Sequence, residues 1–315
     1  MSTNISSSCL NSSEHSSNVF TVCTYSFICI VGLIFNLIAL AFFFKCNKAR
    51  SQTTVYMSNL TIADTLLILT LPMRIFYHLG YRGLPQWLCD TLGLVLKANM
   101  YGSIFLLTCI CFDRCMALSF PLSARVKQGR RKAPLVCLGI WTLTFGASVP
   151  IYLIKRRDVH DSFKHCFNNL PVYATQPVVV YPSLILGFGI PLVIMLVCSW
   201  GLVRAVRQST VAQTNQVDGA KIQRMVASSL FIFIFSFLPY HATLGLLSLY
   251  RENIPCSMLT AYHYSVMLAC LNTVLDPVAY YFTTETFTNN MGIGMGRMIP
   301  LNSHSSDTRY RANNS

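Results

Sequence analysis

This chain is short of charge. Of its 315 residues only 11% are Asp, Glu, Lys or Arg, against about 25% in an ordinary soluble domain. Acids are scarcest: 11 of them stand against 24 Lys and Arg, a formal net charge of +13. The parts of an enzyme are missing as well. No His/Cys cluster has metal spacing, no G-x-S-x-G nucleophile elbow occurs, and no glycine-rich phosphate loop is present. The last apolar run, 259–282, holds no lysine, which excludes a retinal Schiff base there. No internal repeat marks the matching halves of a transporter. The first 18 residues are polar and Ser-rich, so no cleavable leader is expected.

What fills the space is apolar: 53% of the chain is hydrophobic. Candidate membrane spans run over 20–44, 54–78, 90–118, 134–154, 178–203, 225–249 and 259–282. Each approaches the ~20 residues that a bilayer core requires of a helix. The expected fold is therefore an all-α membrane protein, a bundle of seven transmembrane helices. Loop charge sets its orientation, because Lys and Arg are retained on the cytoplasmic side. Lys45, Lys48 and Arg50 follow the first span, and Arg125, Lys127, Arg130, Arg131 and Lys132 follow the third. Arg204, Arg207, Lys221 and Arg224 flank the loop after the fifth. This predicts an extracellular N-terminus and a cytoplasmic C-terminus: an arm over 1–19, the bundle over 20–282 and a tail over 283–315. Thr283–Met298 is a candidate surface helix, weakened by Gly292, Gly294 and Gly296. Asn4 and Asn11 sit in N-x-S/T acceptors on the outer arm. Asn59 also fits that pattern but lies within a span, where no sugar is added.

Two features need a function. The first is Asp113-Arg114, an adjacent acid and base inside FLLTCICFDRCMALSFPL. Charge in or near hydrocarbon costs several kcal/mol, so it is kept for use. The second is an outer surface carrying Arg82, Lys155, Arg156, Arg157, Lys164 and Arg251, which favours anions. Of the 13 cysteines, those within spans read as small buried residues. Cys9, Cys89, Cys166 and Cys256 face the oxidising side, and four cysteines allow three pairings. Cys89–Cys166 would pin the second outer loop over the bundle. Cys9–Cys256 would then tie the arm to the third outer loop, with Cys23 a weaker competitor.

Taken in order, several motifs resemble the rhodopsin-like (class A) G-protein-coupled receptors over roughly residues 20–290. They are Asn36 in GLIFN, Asp64 in LTIAD, Asp113-Arg114-Cys115 for Asp-Arg-Tyr, Trp141, Pro191, Pro239, and Asp276-Pro277-Val278-Ala279-Tyr280. Phe237–His241 (Phe-Leu-Pro-Tyr-His), Leu71-Pro72-Met73-Arg74 and Asn99–Ser103 are similar to the nucleotide and lysophospholipid branch, lysophosphatidic acid receptors above all, the fifth subtype especially.

That resemblance implies a plasma-membrane, multi-pass receptor that is no enzyme, binds no nucleic acid, and is served by heterotrimeric G proteins, arrestin, receptor kinases and membrane lipids. It implies no cofactor beyond an allosteric sodium ion held by Asn36, Asp64, Ser103, Asn272 and Asp276. Asp113 would hold Arg114 at rest, and Tyr280 would support the released Arg114. The chain departs from the family at Ser199, where a tyrosine is usual, and at Gly219, where an acid is usual, so ligand-independent signalling is expected. An amine receptor is excluded, since Leu96 stands where its acid would be. Arg74, Lys97, Tyr101, Tyr240, His241 and Arg251 are instead the candidate contacts for an anionic lysophospholipid. A nucleotide, a small carboxylate or a tethered peptide is the alternative ligand, and a non-signalling scavenger the alternative role.

Overall fold

The computed structural model describes residues 14–45, 52–81, 83–120, 122–157, 166–167, 174, 176–208, 213–250 and 254–283; the side chains of 14–17, 45, 149–157, 206–208, 213–221 and 280–283 are not among those described. In chain order the helices are α1 Glu14–Lys45, α2 Gln52–Ile68, α3 Leu71–His78, α4 Gln86–Ser119, α5 Ala124–Arg130 and α6 Ala133–Arg157. After them come α7 Pro177–Leu184, a π-helical turn Ile185–Gly189, α8 Ile190–Gln208, α9 Gln213–Leu249 and α10 Cys256–Thr283. No strand occurs among the described residues. The protein is an all-α, multi-pass membrane bundle.

Among the described residues, six stretches are long and apolar enough to cross a bilayer: Asn18–Phe44, Gln52–His78, Gln86–Ser119, Pro177–Ala205, Ile222–Leu249 and Cys256–Ala279. The described apolar part of α6, Ala133–Ser148, is shorter. The expected span 134–154 runs past it into residues whose side chains are not described. α9 begins at Gln213, well before the expected 225, because a helix continues past its apolar part when its backbone hydrogen bonds can. The short helix α5 occupies a segment whose composition reads as loop; Ser123 caps it by accepting from the Val126 amide.

Burial runs opposite to that of a soluble protein. Phe27, Ile30, Ile34, Phe44, Val197 and Trp200 point outward, while Asn36, Asp64, Ser103, Asn272 and Asp276 are wholly buried. Lipid offers no penalty to an outward-facing Phe and no partner to an outward-facing carboxylate, so polar groups collect on the helix-facing sides. α4 is the central helix, packed against α2, α6, α8 and α9. It carries Lys97, Asn99, Tyr101, Ser103, Asp113 and Arg114.

Irregular backbone aims the polar residues. α2 stops at Ile68 and α3 restarts with Pro72 in its first turn. Proline is tolerated there because that N–H has no intrahelical partner anyway. The break is sealed by Thr70 Oγ1 donating to the Leu67 carbonyl at 2.7 Å, and it leaves Arg74 facing inward. α3 ends at Gly80, whose φ of +102° suits glycine. In the π-helical turn, a Cβ on Gly187 would meet the Tyr101 ring at 2.7 Å, so only glycine lets that ring lie against the backbone.

Candidate functional site

Polar residues lie at three depths. In the outer layer, Arg74 is 5% exposed. Its Nη2 donates to the Leu92 carbonyl at 3.2 Å, and its guanidinium lies 4.6 Å over the Phe167 ring. It also neighbours the Tyr25 hydroxyl. Its Nε has no hydrogen-bond partner, and among the described residues no carboxylate lies within ion-pairing distance of it. Lys97 Nζ donates to Tyr240 Oη and sits 4.0 Å from the centroid of that ring. A buried and a half-buried cation thus share one end of the bundle, a field that draws anions in.

Phe167 is clamped from every side. Its neighbour Cys166 is joined to Cys89, with Cα atoms 5.6 Å apart. The Cys166 amide donates to Tyr77 Oη at 3.1 Å, and His263 Nε2–H donates to the Phe167 carbonyl at 3.2 Å. The Tyr77 ring meets Phe167 edge-on at 5.1 Å. A loop residue is thereby fixed against the Arg74 guanidinium. Beneath, His241 stacks on Phe188 at 4.5 Å and meets Tyr101 and Tyr240 edge-on at 5.9 and 5.1 Å. Five of the six expected ligand contacts therefore lie in this outer part. Arg251 lies outside the described residues.

In the middle layer, Asp64 Oδ1 accepts from Asn99 Nδ2 at 3.1 Å. Asn36 Nδ2 donates to the Gly32 and Thr273 carbonyls, both at 2.8 Å. Asn272 Nδ2 donates to Asp276 Oδ2 at 3.3 Å, and Asp276 also touches Asp64. Asn36, Asp64, Asn272 and Asp276 each bond through one side-chain atom and leave an oxygen bare, and the Ser103 hydroxyl has no partner: the bare atoms are Asn36 Oδ1, Asp64 Oδ2, Ser103 Oγ, Asn272 Oδ1 and Asp276 Oδ1. Five bare oxygens, two of them from carboxylates in contact, suit a hard cation. The donors are acids and neutral oxygens, with no group of three or more His, Cys, Asp or Glu for a transition metal among the described residues. The residues fit sodium.

The third layer departs from expectation. Asp113, 4% exposed, takes Arg130 with both oxygens: Nε to Oδ1 at 2.7 Å and Nη2 to Oδ2 at 3.0 Å. Thr53 Oγ1 also donates to Oδ2. The expected pairing of Asp113 with Arg114 is replaced, because adjacent residues on a helix point to different sides. Asp113 faces α2 and α5, and Arg114 is left with a buried Nε that has no partner. The hydrogen bond to Asp113 holds the Arg130 guanidinium above its ordinary pKa. Ser199 Oγ donates to the Met195 carbonyl at 2.7 Å and also neighbours the Cys111 thiol of α4. Tyr280 lies in α10, but its side chain, like those of Gly219 and Asp218, is not among those described.

Cys256 is disulfide-bonded, its partner lies outside the described residues, and Cys23 is free. Cys9, Asn4, Asn11 and the tail from 284 also lie outside them. Asn59 is inside α2, where it accepts from Trp141 Nε1 at 3.0 Å. Tyr25, Tyr77, Asn99, Phe167 and His263 do not stand out as site residues in the sequence. Phe167 carries a signal there in its place beside Cys166, and Asn99 in its membership of the Asn99–Ser103 motif.

Comparison with known proteins agrees with this geometry. The family described as 7 transmembrane receptor (rhodopsin family) matches residues 35–280. Human lysophosphatidic acid receptor 6 is 33% identical over 284 residues, covering 85% of this chain and 82% of that one. Human lysophosphatidic acid receptor 4 is 31% identical over 281 residues, 85% and 75% of the two chains. Human G-protein coupled receptor 68 is 33% identical over 271 residues, 83% and 73%.

Proposed function

The chain belongs to the rhodopsin family of seven-transmembrane receptors, and on that premise we propose that it is a plasma-membrane receptor for an extracellular lysophospholipid, lysophosphatidic acid or a close relative. One observation carries the ligand class. Arg74 is a buried guanidinium with no described carboxylate beside it and one donor, Nε, unused. Arginine grips phosphate in two-pronged fashion, and Lys97 adds a point charge nearby. Tyr101, Tyr240, His241 and Arg251 complete the polar end in this proposal. Apolar inter-helical surface takes the acyl chain, and two relatives bear the name lysophosphatidic acid receptor.

In this reading the seven spans place residues 1–19 outside, with Asn4 and Asn11 glycosylated, and 283–315 inside. Cys9–Cys256 and Cys89–Cys166 brace the outer face. Ligand binding moves α9 about Pro239, and Arg114 with Tyr280 engages a heterotrimeric G protein; arrestin and receptor kinases act on the tail. Sodium at Asn36, Asp64, Ser103, Asn272 and Asp276 favours the resting state.

The test is G-protein activation in cells by monoacyl phosphates of graded chain length, beside nucleotides and small carboxylates, on the wild type and Arg74→Ala. Potency that climbs with chain length and collapses in the variant supports the proposal. Potency indifferent to chain length rejects a lysophospholipid, and binding without G-protein activation favours a scavenger.

A further inference from the structure

We propose that His241 reads a hydroxyl group on the ligand, so that the site selects a lysophospholipid with a free glycerol hydroxyl over other long-chain phosphates; this rests on the lysophospholipid reading above. His241 Nδ1 lies 2.8 Å from the Phe237 carbonyl. A carbonyl only accepts, so Nδ1 carries a hydrogen. In the neutral ring Nε2 is then a bare lone pair. The residue is 1% exposed, and Nε2 has no hydrogen-bond partner.

The ring is neutral for a structural reason. Lys97 sits on Tyr240, the preceding residue, so a second cation would face like charge, and among the described residues no carboxylate contacts the imidazole. Nor can the ring turn to find another partner. Phe188 stacks on one face at an interplanar angle of 17°, and the rings of Tyr101 and Tyr240 meet it edge-on. A buried acceptor without a donor is costly, and a hydroxyl on a bound ligand would supply the missing donor.

That requirement narrows the ligand. An ionised phosphate, a carboxylate and an ester carbonyl bring acceptors, which suit Arg74 and Lys97 but repel the Nε2 lone pair. A glycerol hydroxyl brings a donor within a few bonds of the phosphate. Cationic Arg74 and Lys97 with the neutral acceptor His241 thus match a phosphate and a neighbouring free hydroxyl.

Two probes decide it: 1-oleoyl lysophosphatidic acid, and the oleoyl ester of 1,3-propanediol phosphate, which has hydrogen in place of the hydroxyl. On the wild type the first should be about tenfold more potent or better, the scale of one buried hydrogen bond. His241→Phe, which keeps the stack on Phe188, should bring the first probe down to the second, and His241→Asn, which keeps an acceptor, should restore part of the gap. Equal potency on the wild type overturns the inference and leaves the anionic-lipid reading standing. A wild type that responds to neither probe overturns that reading and the inference together. The wild-type comparison needs no variant, so it still decides between these outcomes if the His241→Phe protein fails to reach the surface.

Discussion

Arg130, at the end of the short helix α5, closes a two-pronged ion pair on Asp113 of α4, at 2.7 and 3.0 Å. The acid of the Asp113-Arg114 pair is therefore committed to a neighbouring loop helix, and the Arg114 Nε makes no hydrogen bond. A buried carboxylate must be neutralised, and here the neutralising charge arrives from seventeen residues away in sequence.

Removing Arg130 should tighten the switch. In Arg130→Gln, Asp113 is left with Thr53 and turns to Arg114, the remaining nearby cation. A partly exposed pair of this kind contributes about 0.5–1 kcal/mol, so ligand-independent signalling should fall by roughly two- to fivefold. Asp113→Asn, which releases Arg130 but costs Arg114 no hydrogen bond, should change basal signalling little. The measurement is G-protein activity against surface expression without ligand. A rise in Arg130→Gln would show that Arg130 restrains the receptor rather than releasing it.

Arg74 should tolerate no substitute. Lysine keeps the charge but loses the planar stack on Phe167 and the two-pronged grip on phosphate. Arg74→Ala is expected to lower lysophospholipid potency by about a hundredfold and Arg74→Lys by about tenfold, the scale of a truncated buried charge contact. Equal potency of wild type and Arg74→Lys would mean that only net charge matters there.

Phe167 should act through Arg74. The cation over its ring, 4.6 Å away, contributes about 0.5–2 kcal/mol. Phe167→Leu keeps apolar contact without the ring and should lower potency about three- to tenfold; Phe167→Trp should retain it. In Arg74→Ala the Phe167→Leu change should have no further effect on potency. Independent, multiplying losses would make Phe167 a direct ligand contact.

These residues differ in how legible they are in the sequence. Asp64, Arg74, Asp113 and Arg114 can be picked out because a charge in an apolar run is expensive wherever it points. Their partners cannot. The choice of Arg130 over Arg114 depends on where α5 folds and on the angle between adjacent side chains, neither of which shows in hydropathy. Phe167 gains its role from contacts with α3 and α10 and from the disulfide that ties its neighbour to α4, and Asn99 reads as one member of a motif rather than as the donor to Asp64. At the π-helical turn Ile185–Gly189, Tyr101 lies against Gly187, a contact between distant residues. Spans are readable from length and composition; what the polar groups meet is set by packing.

Asp64 and Asp276 make the receptor's response to sodium predictable. Two carboxyls in contact inside the bundle cannot both stay ionised unless something positive joins them, and only a cation or a shared proton will serve. Their bare oxygens, with those of Asn36, Ser103 and Asn272, make five hard-oxygen donors for which sodium is the abundant extracellular candidate. Sodium that favours the resting state must weaken agonist binding by the same factor that agonist weakens sodium. Replacing choline with sodium at constant ionic strength should therefore lower agonist affinity in the wild type, by about fivefold or more for a coupling of ordinary size. Asp64→Asn removes one anionic ligand and the need for compensation, so agonist affinity should become indifferent to the exchange. Undiminished sodium sensitivity in Asp64→Asn would move the ion elsewhere, and insensitivity in the wild type would leave a shared proton as the bond between the two acids.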